Sequence, residues 1–169
     1  MRRFPHICVL LAVSMLVSCG YHLAGHGEGR GAIPAGVRTL SIQAAPGSKA
    51  FVPLLRQRIL TDPHGYSVRD TPADPAHHAV LRMTHKPERM VPVAYDAAGI
   101  ATQYRLAISG EVTVLREDKV VWQSGIVTVQ GDVFTTGGPA SIEASRRRLA
   151  DDLRNEWMRN VWARLRAGF

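Results

Sequence analysis

The sequence is 169 residues long, with 21 lysines and arginines against 14 acids, a formal charge of +7 and a pI near 10.1. At roughly 100–200 residues per domain this is one domain, and 46% apolar with 21% charged residues excludes wholesale disorder. No apolar run reaches the ~18 residues of a bilayer-spanning helix, and two cysteines without a CxxC pair exclude a disulfide framework.

The basic balance alone invites a nucleic-acid reading, but the amino terminus argues against it. Arg2 and Arg3 precede an apolar stretch from Ile7 to Val17. At 1.5 Å per residue that stretch covers only about 17 Å, too short to span a bilayer and of the length found in signal peptides. It ends in Leu16-Val17-Ser18-Cys19, which resembles the bacterial lipobox. The resemblance implies cleavage before Cys19, a diacylglycerol on its thiol and an acyl chain on the new amine, and these lipids are the only non-protein groups expected. Gly20 follows the cysteine in place of the Asp that retains many such lipoproteins in the inner membrane. By that resemblance the expected location is the periplasmic side of the outer membrane, lipid-anchored, with no nucleic-acid partner. Residues 1–18 are then signal peptide, 19–36 a Gly- and His-rich lipidated tether, and 37–169 a single folded domain. Removing the signal leaves 151 residues with a net charge of +5 and no thiol other than the anchor.

Val37 to Ala44 suits a first strand, with Leu40 and Ile42 on one parity. Pro46-Gly47-Ser48 turns the chain, Ser48 is a candidate N-cap, and Phe51, Leu55 and Ile59 recur at helical spacing until Pro63 and Gly65. Tyr66 to Arg69 is a short extended piece, followed by the proline-rich loop Asp70 to His78. Ala79 to Tyr95 reads as one strand interrupted at Lys86-Pro87-Glu88, where the proline argues for an edge or a bulge. Asp96-Ala97-Ala98-Gly99 is a hairpin turn. In the next strand Tyr104, Leu106, Ile108, Val112 and Val114 share one parity and Arg105, Ser109, Glu111 and Thr113 the other, so one face is buried and one wet. Glu117-Asp118-Lys119 turns the chain again. In the last strand, Val120 to Phe134, the apolar parity moves from Val120 and Trp122 to Val127 and Val129, which predicts a bulge near Ser124-Gly125.

After Gly137-Gly138-Pro139, Ser141 can cap a long helix with Ile142, Leu149, Leu153, Trp157, Val161 and Leu165 on its apolar stripe. Trp157 reads as core, while Trp162 is either flanking core or partner contact. Seven arginines against four acids give this helix +3. The predicted fold is α+β: a four-stranded mixed sheet with two helices packed on one face, in the order β-α-β-β-β-α.

The sequence contains no G-x-S-x-G elbow and no HExxH. His77, His78 and His85 read as solvated loop histidines and no metal site is expected; the chain is read as non-enzymatic.

The order of short motifs along the chain resembles the LPS-assembly lipoprotein (LptE) family. Cys19-Gly20-Tyr21-His22-Leu23 is similar to that family's CG-[YW]-H-L opening, and Ile33 to Ile42 to its first strand. Gly99 with Thr102, Tyr104 and Leu106 is similar to its Gly-x-x-[AT]-x-Tyr-x-Leu strand entry, followed by Val112-x-Val114-Leu115, a charged turn and Trp122. The resemblance implies a lipoprotein that sits 1:1 as a plug in the outer-membrane β-barrel LptD, helps that barrel assemble, and binds lipopolysaccharide on its way to the cell surface. Family members bind lipid phosphates with basic residues near the strand tips; the turn position after Tyr95 that corresponds to one of them is Asp96 here. The remaining candidates for phosphate binding are Lys86, Arg89, Arg105, Arg116 and Lys119, because cations meet phosphate oxygens and Arg does so bidentately. Tyr95 and Phe134, at the hairpin ends, are candidates for contact with the barrel wall. The alternative reading is a lipid-anchored auxiliary subunit of another envelope lipid-transport system.

Overall fold

The structure, a computed structural model, describes residues 31–71, 74–135 and 138–168. Strand β1 (Thr39–Ala44) is followed by a 3-10 turn over Pro46–Phe51, which runs straight into helix α1 (Val52–Leu60). Pro46 and Pro53 fall in first turns, where a missing N–H costs no helical hydrogen bond. Ser48 is not the cap expected of it: it is buried, and its Oγ lies 2.9 Å from His85 Nδ1. The two-residue strand β2 (Ser67–Val68) and a short 3-10 turn lead to β3 (His78–His85), β4 (Arg89–Tyr95), β5 (Ala101–Arg116), β6 (Lys119–Gln123) and β7 (Val127–Phe134). Helix α2 (Gly138–Ala167) closes the domain.

The sheet has seven strands, not four. The difference has two physical causes. First, β3 and β4 lie end to end along one edge of β5: His85 faces Gly110 and Arg89 faces Ala107, so four steps on one strand oppose three on the other. The extra residue sits at Lys86-Pro87-Glu88, where proline has no N–H for the ladder. The same happens on the other edge, where Gln123 faces Thr113 and Val127 faces Gly110, so that Ser124-Gly125-Ile126 divides β6 from β7. Gly125 takes φ +63° there, in the left-handed region that glycine enters without a Cβ clash. Second, the extended piece after Tyr66 pairs in parallel with β1 as a further strand. The sheet is mixed, as expected: β1 is parallel to β2 and β3, while every pairing of β5 is antiparallel.

Alternation on β5 decides which face is covered. Leu106, Ile108, Val112 and Val114 are buried and join Leu40, Leu81, Met83, Val127 and Val129 in one core. Leu55 and Ile59 of α1 and Leu153, Trp157, Val161 and Leu165 of α2 complete that core, and the two helices touch each other over it. Burying a side chain of this size contributes about 1.5–3 kcal/mol. Trp157 is fully buried, and its indole N–H donates to the Val127 carbonyl at 2.9 Å, so the ring is both packed and satisfied. Trp162 is buried as well.

Both hairpins are built as their turn residues dictate. Glu117 and Asp118 both have positive φ, the two-residue pattern whose twist matches the flanking strands. Asp96 Oδ1 accepts from the Ala98 and Ile100 N–H groups and fixes the other turn. Helix α2 starts before Ser141 and ends at Ala167; Gly168, at φ +77°, donates its N–H back to the Arg164 carbonyl. Within the segment read as tether, Ala32 and Ile33 are buried, and the Ala32 N–H donates to the Leu165 carbonyl at 2.7 Å. A Cβ on Gly31 would lie 2.4 Å from the Arg166 carbonyl oxygen, so only glycine allows this approach.

Candidate functional site

Among the described residues no helix covers the second face of the sheet. Across β4, β5 and β7 the register sets three rows there: Arg89, Ala107 and Gln130; Val91, Arg105 and Asp132; and Ala94, Gln103 and Phe134. The rows continue down β5 with Ser109 beside Thr128, whose hydroxyls are 2.8 Å apart, and with Glu111 beside Thr84. Arg105 donates through Nε and Nη2 to the two carboxylate oxygens of Asp132, at 2.9 and 3.2 Å, and Gln103 Nε2 donates to Asp132 Oδ2 at 2.8 Å. That pairing holds the Asp132 carboxyl below its ordinary range and raises the guanidinium. The pair is still accessible, with 41% of the Arg105 side chain and 28% of Asp132 exposed.

The five candidate cations do not form one cluster. Lys86 and Arg89 are exposed at and just beyond the first bulge, and Arg89 is one row from Arg105 on the open face. Arg116 and Lys119 face each other at the β5–β6 hairpin, eleven residues from Arg105, or about 36 Å along an extended strand. Arg116 Nη2 also donates to the Ala76 carbonyl at 2.9 Å. Tyr95 and Phe134 sit at the far end of β5, opposite Ala101 and Gln103, and are 59% and 60% exposed. Ile100 and Val93 add to this apolar tip. Cys19 lies outside the described residues.

The arginines of α2 are largely engaged within the domain. Glu143 accepts from Arg146 and Arg147, which pushes its carboxyl down to about 2. Glu88, in the first bulge, pairs with Arg154 and lies 3.8 Å from Arg146, which ties the bulge to the helix. The histidines are likewise committed. His77 Nδ1 is 2.7 Å from Asp74, and His78 contacts Thr39 Oγ1 and Ser41 Oγ. His78 is buried, not solvated. His85 stacks on Phe51 at 3.7 Å and against Trp157 at 4.1 Å, a half-buried position at the edge of the core and not a solvated loop. Among the described residues no three His, Cys, Asp or Glu side chains are placed to hold a metal, and no helix is long and apolar enough to cross a membrane.

Sequence reasoning singled out Arg105 but missed Gln103 and Asp132, which lie 29 residues apart on different strands. The signal was available in the wet parity of β5, once the register with β7 is known.

The sequence model of the LptE family, described as lipopolysaccharide-assembly, matches residues 37–165. No curated protein sequence matches the chain. Among solved structures, lipoprotein B from Nitrosomonas europaea is similar with a TM-score of 0.62 at 12% identity, over 74% of this chain and 79% of that one. Rare lipoprotein B from Shewanella oneidensis is similar with a TM-score of 0.60 at 17% identity, covering 74% and 91%. A minor lipoprotein from Acinetobacter baumannii gives 0.59 at 13% identity, covering 77% and 91%. At these identities the likeness is one of fold.

Proposed function

Because the chain belongs to the LptE family of lipopolysaccharide assembly, we propose that it is a non-enzymatic outer-membrane lipoprotein that plugs the LPS-assembly β-barrel LptD and binds lipopolysaccharide in transit. The observation that carries this reading is the family match across the whole sheet-and-helix domain. Cys19, at the end of the lipobox-like run, holds the domain to the membrane through its diacylglycerol and N-acyl chains. Two or more chains give stable anchoring where one gives only marginal binding. The open polar face suits a wet barrel lumen better than a lipid surface, and Tyr95 and Phe134 at the exposed tip are the side chains that meet the barrel wall.

Lipopolysaccharide phosphates are received by cations on the exposed side of the sheet. Arg105, a guanidinium already aligned by Asp132, is the candidate nearest the tip, and Arg89 and Lys86 follow from one row further along the sheet. Arg116 and Lys119 form a second group at the opposite hairpin. The test is binding of purified protein to lipopolysaccharide before and after neutralising all five cations to glutamine. Binding should fall at least tenfold with the thermal midpoint unchanged. Equal binding by the two proteins would overturn the phosphate assignment.

A further inference from the structure

The side of the domain opposite the open face carries a depression of its own. Helices α1 and α2 pack together over the core, and between them lies a cavity of about 280 Å³. It is lined by Leu54, Gln57 and Arg58 of α1, by Thr61 at that helix's C-cap, and by Asn155 and Met158 of α2. The spacing dictates the set, because residues three and four apart share one stripe of a helix. Leu54 and Met158 pack into the core and form an apolar floor, while the other four are exposed. The Gln57 and Arg58 side chains have no hydrogen bond or ion pair among the described residues. The Asn155 amide donates once, to the Asp151 carbonyl at 2.9 Å, and keeps one N–H and its oxygen. Thr61 Oγ1 donates to the Gln57 carbonyl at 2.9 Å, so it offers the groove its lone pairs.

We propose that this groove binds a short extended segment of another protein that carries a carboxylate side chain. The carboxylate meets Arg58, the segment's peptide groups pair with the Gln57 and Asn155 amides, and its apolar atoms rest on Leu54 and Met158. Charge complementarity argues for an acidic occupant. Helix α1 carries Arg56 and Arg58 and no acid, and Arg56 already faces Asp70 at 3.8 Å, which leaves Arg58 uncommitted. Arg159, one turn beyond Asn155, is exposed and likewise has no ion pair among the described residues. Of the nearby acids, Asp151 is paired by Arg154 and Asp62 is buried against His64. Asp152, exposed nearly a turn before Asn155, is outweighed by the two free guanidiniums. The other groups argue for a peptide. A primary amide matches the donor and acceptor of a peptide group, and here one stands on each helix. A phosphate site is built from free backbone N–H groups at a helix start, whereas these positions lie past the first turn of either helix. The volume falls below the ~300–1,000 Å³ of pockets that enclose a small molecule, which suits one or two residues of a passing chain. Because the groove and the open face lie on opposite sides of the domain, both can be occupied at once.

The test is an NMR titration of the full-length protein in detergent with three probes: a capped pentapeptide of alternating glutamate and leucine, the same peptide with glutamine for glutamate, and inorganic phosphate. The glutamate peptide should shift the side-chain N–H signals of Gln57, Arg58 and Asn155 together. The glutamine peptide should bind at least threefold more weakly, and raising the salt should narrow that difference. Arg58→Gln, at an exposed position, should weaken the glutamate peptide at least threefold with the thermal midpoint unchanged, and Arg58→Lys should weaken it less. Four results overturn the site: no shift at Gln57 and Asn155 with the glutamate peptide, equal binding of the glutamine peptide, binding that Arg58→Gln leaves unchanged, or phosphate that moves the same signals as strongly as the peptide. The last would assign the groove to phosphate. None of these outcomes bears on the barrel or the lipopolysaccharide reading, which the groove does not require.

Discussion

Acid should weaken this fold through His85, well before most carboxylates titrate. The ring is half-buried at the edge of the core, stacked on Phe51 with 13° between planes and tilted against Trp157, and its Nε2 is buried without a partner among the described residues. Burial pushes its pKa from the ordinary 6.5 down to about 4. The folded value lies below the unfolded one, so the unfolded chain binds the proton first. The stability His85 confers is therefore fully present above pH 6.5 and is lost as the pH falls toward 4. With the two pKa values as given, the loss between pH 7 and pH 5 is about 2 kcal/mol. His78, also held down by burial, adds in the same direction. The carboxyls of Asp74, Asp132 and Glu143 are held low and lose their partners' benefit only at more acid pH. Urea unfolding at pH 7, 6 and 5 measures the effect. His85→Phe keeps a ring in the stack and should abolish most of the slope, leaving the smaller share of His78. An unsubstituted protein equally stable at pH 7 and 5, or a His85→Phe variant with the same slope, would refute the reasoning.

Gly110→Ala should cost about 1–3 kcal/mol in the same urea titration, because the new Cβ would lie 2.6 Å from the Thr84 backbone carbonyl and 2.5 Å from the His85 ring. Gly131→Ala is the contrasting case: its Cβ would meet the end of the flexible Leu149 side chain at 2.7 Å, and the cost should stay below about 1 kcal/mol. Trp157→Phe should destabilise by about 1–3 kcal/mol, since it leaves a void and deprives the buried Val127 carbonyl of its donor, read as a drop in thermal midpoint. Cys19→Ser should move the protein from the membrane pellet to the soluble periplasmic fraction, and continued sedimentation with membranes would count against the anchor.

Much of the fold is legible in period and punctuation. The shift of apolar parity between Trp122 and Val127 locates the Ser124–Ile126 bulge, and Pro87 locates its counterpart on the other edge of β5. What parity does not reveal is that such bulges interrupt the ladder enough to make two strands of each, or that Ser67–Val68 pairs with β1. Capping was read too locally. Ser48 has the chemistry of an N-cap, but burial beside His85 leaves its hydroxyl a better partner there, and α1 begins at Val52. The open face illustrates the same limit. Arg105 reads as a free cation from its position in the chain, whereas Asp132 pairs with that charge from a strand brought alongside only by folding, and Gln103, two residues from Arg105 on β5, helps hold the Asp132 carboxylate. His85 reads as a loop residue because Lys86 and Pro87 follow it, yet the missing side chain of Gly110 makes room for its ring against Phe51 at the edge of the core.

The central claim is partnership with a barrel, and isolation of the full-length chain from native envelopes in mild detergent tests it directly. The account predicts a stable 1:1 complex with one large outer-membrane β-barrel protein that survives size exclusion. Recovery of the chain as a lone monomer, from envelopes that contain the barrel, would contradict it.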